Sequence, residues 1–182
     1  MTRGPTLPAH RLPHLPTPLD AFNGAPADEA RTLLQHCLHS PCWAHRLAEH
    51  RPYPDLDALL AAADEAAYDL SPADLSEALA GESLPELPED AYSAAHMALS
   101  AANAAYEARF GHAFVISLGD VPPDEALDRI LEAIRSRLVN DPEEERVVAA
   151  DELRRLARGR LEEFLRAAGS CAAGQGAPTT GK

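Results

Sequence analysis

The sequence predicts an all-α fold, a single-domain helical bundle of about seven helices with a short extended segment after the fifth. Three observations predict it. Apolar residues recur at helical spacing through most of the chain; helix-opening signals return at short intervals; and one stretch, Phe114 to Ile116, reads as extended instead. At 182 residues the chain is long enough for one domain with a real core and short for two.

The elements follow in order. Residues 1–18 hold five prolines and few large apolar side chains, so no helix nucleates there and a flexible surface segment is expected. The folded domain is expected over residues 19–167. Pro26 with Asp28 and Glu29 opens the first helix, whose stripe is Leu33, Leu34, Cys37 and Leu38; acids in a first turn suit the free N–H groups and the dipole. Ser40-Pro41 caps and opens a second, with Trp43 and Leu47, ending before Arg51-Pro52-Tyr53-Pro54. Asp55 or Asp57 starts a third, carrying Leu56, Leu59, Leu60 and Ala63. Ser71-Pro72-Ala73-Asp74 starts a fourth that ends near Gly81, and a Pro- and Glu-rich linker runs from Glu82 to Glu89. The fifth helix is expected from about Asp90 to Phe110, the sixth from about Pro123 to Val139 and the seventh from Asn140-Asp141-Pro142 to about Ala167. Val147, Ala150, Leu153, Leu156, Leu161, Phe164 and Leu165 form the expected stripe of that last helix. Residues 168–182 are Gly, Ala, Ser, Thr and Pro in the main and read as a disordered tail.

Charge and composition exclude several function classes. The formal charge is −13, and Lys182 is the one lysine, so no clustered basic patch for nucleic acid is expected. The three cysteines, Cys37, Cys42 and Cys171, lack metal-site or disulfide-framework spacing and fit a reducing compartment. Neither an apolar run of membrane length nor a signal peptide is present, so a cytoplasmic, soluble protein is expected. The eight histidines include the pairs His36/His39 and His45/His50, but no HExxH context, and no metal or cofactor is expected.

The stretch Asn103 to Leu118, NAAYEARFGHAFVISL, carries the first functional expectation. Helical spacing ends at Phe110, Gly111 can take the left-handed conformation that turns the chain, and Phe114, Val115 and Ile116 are too apolar for a surface loop. A buried extended run in a protein without a sheet needs partners for its backbone N–H and C=O groups. Side chains, water or a ligand can supply them. His96 stands one heptad before Asn103, on nearly the same face, and is the candidate general acid or base; the alternative is an ordinary helix histidine. Arg158 and Arg160 interrupt the apolar stripe of the last helix. An inward Arg160 would offer a five-donor fork to a carboxylate, whereas an outward one would snorkel to solvent.

At this point the residues resemble a known family. Phe22-Asn23, Ser40-Pro41-Cys42-Trp43, Arg51-Pro52-Tyr53, Ala63-Asp64, the stretch Asn103 to Gly111, Phe114-Val115-Ile116, Asn140-Asp141-Pro142, Glu152-Leu153 and Arg160-Leu161 stand in the order of the OHCU decarboxylase family. The resemblance covers about Leu19 to Leu165. It implies an all-helical, cofactor-free domain, often a homodimer, acting on 2-oxo-4-hydroxy-4-carboxy-5-ureidoimidazoline (OHCU), an intermediate of uric acid breakdown, to give (S)-allantoin. It further implies that a small carboxylated substrate lies against the main chain of Phe114, Val115, Ile116, Ser117 and Leu118.

The sequence departs from the family in one region. Members usually carry a His-Pro-x-x-Gly loop after the helix matching Ser71 to Ala80, with the catalytic histidine, and later a Ser-x-x-Glu-Gln segment. This chain reads AGESLPELPEDAYSAAH from Ala80 to His96, and the connection is shorter by about one loop and two helical turns. Three readings remain: His96, with Glu82, Glu86 or Glu89, takes over the chemistry; the domain runs a related lyase reaction on another carboxylated heterocycle; or it is a non-catalytic binding or interaction module.

Overall fold

The computed structural model describes residues 17–84 and 93–174. Residues 1–16, the linker acids Glu86 and Glu89, the expected helix start at Asp90 and residues 175–182 lie outside the described residues. Eight helices and no strand are found among the described residues: α1 Pro18–Gly24, α2 Ala27–Cys37, α3 Pro41–Glu49, α4 Leu56–Tyr68, α5 Pro72–Ala80, α6 Ser93–Phe110, α7 Pro123–Arg137 and α8 Pro142–Gly174. Among them no helix is long and apolar enough to cross a membrane.

Local capping sets most of these boundaries. Ser40, Asp55 and Ser71 each accept a backbone N–H in the first turn of α3, α4 and α5, which removes one of the orphan donors at a helix start. Two departures from expectation have the same kind of cause. The sequence reading has no helix at α1, yet Thr17 and Asp20 form a reciprocal capping box there, and Pro18 sits at the first helical position, where its missing N–H costs nothing. At the other end α8 continues past Ala167 to Gly174. Alanine is the strongest helix former, and Ala167, Ala168, Ala172 and Ala173 carry the helix into what reads as tail composition.

The helices enclose two hydrophobic clusters. One gathers Phe22, Leu34, Trp43, Leu47, Tyr53, Leu59, Leu79, Leu153 and Leu161 from α1–α5 and α8. Its centre is Trp43, fully buried, with Nε1 donating to the Ala63 carbonyl at 2.9 Å. The other joins Leu99 and Tyr106 of α6 to Ile130, Ala133 and Ile134 of α7. The buried stripe of α8 is Glu145, Ala149, Leu153, Ala157, Leu161 and Leu165, a run of i, i+4 steps. Val147 and Phe164, expected in that stripe, are exposed.

Between the clusters runs the extended segment after α6. Phe114 and Ile116 enter the second cluster and Val115 enters the first, the alternation an extended backbone imposes. The strip is therefore the seam of the molecule. Gly111 makes the turn into it at φ +82°, and a Cβ placed there would touch nothing within 4 Å. Only backbone strain opposes a side chain at that position. Gly111→Ala should lower stability by about 1–2 kcal/mol, the cost of the left-handed conformation for a residue with a Cβ; an unchanged urea midpoint would show that the turn tolerates another backbone geometry.

Candidate functional site

The strip owes its position to side chains from three helices. Phe114 N–H donates to Asn103 Oδ1 of α6 at 3.1 Å, and Ser117 N–H donates to Glu152 Oε2 of α8 at 2.7 Å. The Val115 carbonyl accepts from Arg137 Nη1 of α7 at 2.7 Å. Arg137 is itself buried, with Nε donating to Glu145 Oε1 at 2.8 Å and Nη2 to the Tyr106 hydroxyl at 3.2 Å. The Tyr106 hydroxyl donates to the same Glu145 oxygen, while Asn140 Nδ2 donates to Glu145 Oε2 at 2.9 Å. The Arg137 guanidinium lies 4.4 Å from the centroid of the Phe114 ring, against which Tyr106 packs edge-on at 5.0 Å. Burial, reinforced by the hydrogen bond to Glu145, pushes the Tyr106 phenol well above its usual range, so it stays a donor.

Among the described residues nothing pairs with the N–H groups of Val115 and Ile116 or with the carbonyls of Phe114 and Ile116. Buried backbone donors without partners are rare in folded proteins.

A second polar cluster stands where α5 ends. The Glu82 side chain, 2% exposed, receives Arg160 Nη1 on Oε1 at 2.8 Å and Arg160 Nη2 on Oε2 at 2.7 Å, a bidentate pair. Arg160 Nη1 also donates to the Cys37 carbonyl at 3.1 Å. His39, from the α2–α3 connection, places Nδ1 3.2 Å from Glu82 Oε1, with its side chain 46% exposed. Burial alone would raise the Glu82 carboxyl, but the hydrogen bonds and charge of Arg160, joined by His39, outweigh it and hold it below the usual range. Burial pushes the neighbouring Cys37 thiol up to about 11, against the pull of Arg160.

Shared elements connect the two places. Glu152, Leu156 and Arg160 follow one i, i+4 ridge of α8, so the residue that holds Ser117 and the one that holds Glu82 are about 12 Å apart along the helix. Leu84, two residues after Glu82, packs on the cluster containing Phe114 and Ile116. Among the described residues no group of three His, Cys, Asp or Glu side chains is arranged to hold a metal ion. Two open grooves, about 630 Å³ beside α1 and about 590 Å³ along α2 and α8, lack the strip; the second reaches the Glu82 cluster through Cys37 and Arg160.

The residues singled out from sequence divide accordingly. Phe114, Val115 and Ile116 are buried, and Ser117 and Leu118 half-buried, in one continuous strip. Arg160 does turn inward, but the carboxylate in its fork is Glu82. Arg158 pairs with Asp64 at 2.7 Å. His96 is exposed on α6, and Glu82, one of the acids expected beside it, is joined by His39 instead. Arg137 and Glu145 were not expected. Their signal was present: each occupies a buried position in an otherwise apolar stripe, Arg137 three residues after Ile134 and Glu145 four before Ala149.

Comparison with known proteins follows the same outline. The chain matches the family model described as OHCU decarboxylase in two segments, residues 23–95 and 86–162. They overlap over 86–95, inside the region that departs from the usual family pattern. No curated protein matches the sequence. Among solved structures the chain is similar to an (S)-allantoin synthase, with a TM-score of 0.63 and 21% identity over 80% of this chain and 53% of that one. The likeness is one of fold, and this chain spans about half the length of that protein.

Two substitutions test the polar framework. Arg137→Met should cost about 3–5 kcal/mol in urea unfolding, because it strands the buried Glu145 charge; adding Glu145→Gln should recover part of the loss, and a cost below about 1 kcal/mol would deny the network its structural role. Glu82 has a folded pKa below its unfolded value, so its contribution is complete above the unfolded carboxylate range, about 4.3, and is lost as pH falls through the folded value. Thermal stability should therefore fall on acidification, less steeply in Glu82→Gln than in the unaltered chain; parallel slopes would contradict this.

Proposed function

The chain belongs to the OHCU decarboxylase family, and from that we propose that it is a cofactor-free carboxy-lyase of uric acid breakdown, converting OHCU to (S)-allantoin. One observation carries the reading: a buried extended strip, Phe114 to Leu118, fixed at both ends by side chains, whose Val115 and Ile116 N–H groups have no partner among the described residues. In this reading the flat polar ring of the substrate lies along that strip. The bond from the ring carbon to its carboxylate breaks, CO₂ leaves, and the electron pair passes into the ring. Rigid backbone donors lower the cost of that charge, since they point at it without reorganising. The carbon bearing the ureido group then takes a proton on the face away from the strip, which makes the product one-handed.

The roles of individual residues follow. Phe114, Val115, Ile116, Ser117 and Leu118 form the binding strip, with Asn103, Arg137 and Glu152 holding it. Arg160 serves the site by fixing Glu82, not by gripping the substrate carboxylate. His96 would act only if the substrate reached the exposed side of α6. The substrate is a small-molecule carboxylate; the homodimeric state and the cytoplasmic location belong to the same proposal.

A second reading is favoured by the missing His-Pro-x-x-Gly and Ser-x-x-Glu-Gln motifs: a family member that binds a carboxylated heterocycle without turning it over, or acts as a lyase on a related one. Circular dichroism of freshly generated OHCU separates the two. Decarboxylation faster than the spontaneous rate, with (S)-allantoin in excess, is the expected result. Racemic allantoin at the spontaneous rate would overturn the catalytic reading, leaving the binding reading to be tested by calorimetry with allantoin.

A further inference from the structure

We propose that His39 is the proton donor of this site, and that Glu82 and Arg160 are positioning residues acting through it. The inference rests on the decarboxylase reading above and deepens it. It starts from hydrogen-bond chemistry. A carboxylate held in a bidentate arginine fork can only accept, so the nitrogen that meets Glu82, Nδ1 of His39, carries the hydrogen. The tautomer is thereby set, and Nε2 is the nitrogen that takes or gives a proton. A histidine with one nitrogen fixed by a buried carboxylate and a half-exposed ring is the arrangement general acid catalysis needs.

A close contact shows that the ring position is built. A Cβ added at Gly81 would stand 2.5 Å from His39 Cβ and 2.6 Å from Cγ, which real side chains essentially never tolerate. The φ of Gly81 is −83°, so its backbone is ordinary and the glycine is required by the approach of His39 alone. Gly81 and Glu82, at the α5 terminus, thus place the histidine, and Arg160 of α8 holds Glu82. Leu84, two residues beyond Glu82, packs on the cluster that contains Phe114 and Ile116, and Glu152, about two turns before Arg160 on α8, holds the Ser117 N–H. His96 has no comparable frame: it is exposed on α6.

The step balances with a histidine alone. As CO₂ departs, its electron pair forms the ring C=C bond and charge moves to the ring nitrogen. The ureido-bearing carbon takes the Nε2 proton of the imidazolium form of His39, leaving the Nδ1–H tautomer, the hydroxyl proton passes to the ring nitrogen as that C–O becomes a carbonyl, and solvent returns a proton to Nε2.

The test is turnover and product handedness with OHCU for the unaltered chain, His39→Gln, Gly81→Ala and His96→Gln. In His39→Gln, kcat should fall about 100-fold or more while KM, the far-UV spectrum and Tm change little, and the residual allantoin should lose its handedness. Gly81→Ala, which keeps every polar group and displaces the ring, should lower kcat and handedness together. One-handed product at near-normal rate from His39→Gln, or loss confined to His96→Gln, would overturn the proposal while the decarboxylase reading stands. No turnover by the unaltered chain would overturn both.

Discussion

The architecture depends on one buried guanidinium. Arg137 closes α7, and from that position it meets the Val115 carbonyl, the Glu145 carboxylate, the Tyr106 hydroxyl and the face of Phe114. An extended segment threaded between two helical clusters has no neighbouring strand to pair with, and a buried carbonyl left unpaired costs about 1–3 kcal/mol. Arg137 supplies the partner where the strip passes from one cluster to the other. Its own charge then requires Glu145, and Glu145 requires Asn140 and Tyr106 for its remaining lone pairs. A buried ion pair of this kind is weak evidence for net stability, since apolar residues of similar volume do as well or better. What apolar residues cannot do is hold one carbonyl at one place. The network accordingly defines the register of the strip, and with it which N–H groups have no partner among the described residues.

Most of the fold was legible because helix starts are local chemistry. Ser40, Asp55 and Ser71 act as caps within four residues of the sequence that names them, and Gly111 adopts the left-handed turn its position suggests. The helix α1 is hidden by the run of five prolines that ends in its own first residue, Pro18, although a proline at the first helical position is harmless and Thr17 with Asp20 spells the box. In α8 the expected stripe holds at Leu153, Leu161 and Leu165 and fails at two positions. The larger Val147 and Phe164 outweigh alanine in a hydrophobicity count, whereas the helix buries Ala149 and Ala157 against its neighbours and leaves Val147 and Phe164 exposed. Small residues mark close approach, which a hydrophobicity count does not register.

The site divides the same way. The strip could be read from a helix that stops and an apolar run too short to be another, and its need for backbone partners followed. Which partners it takes could not. Asn103, Arg137 and Glu152 reach it across sequence separations of 11, 22 and 35 residues. Arg160 and Glu82 meet across 78, and His39 and Glu82 across 43. No local pattern encodes such meetings. Glu82 also sits at the head of a run of Pro and Glu that reads as solvated linker, so its near-complete burial was invisible. The polar interruptions of apolar stripes at Arg137 and Glu145 were the one usable signal, and Arg160, chosen by that same criterion, did turn inward.

The engagement of Arg160 by Glu82 bears on what kind of chemistry this architecture suits. A free guanidinium beside a substrate carboxylate would bind it well, but decarboxylation removes that charge as neutral CO₂. Such a grip is strongest in the ground state and disappears on the way to the transition state, which raises the barrier by whatever it contributed to binding. A decarboxylating site gains more from donors placed where charge arrives than from cations placed where it departs. Among the described residues both buried acids are already matched, Glu82 by Arg160 and Glu145 by Arg137, so neither of these two forks is open to a ligand. On the decarboxylase reading, an incoming ring meets the uncharged backbone of Val115 and Ile116 together with the His39 imidazole. On that reading the division, with charges neutralised inside the framework and dipoles left at the strip, suits loss of CO₂ over capture of a carboxylate.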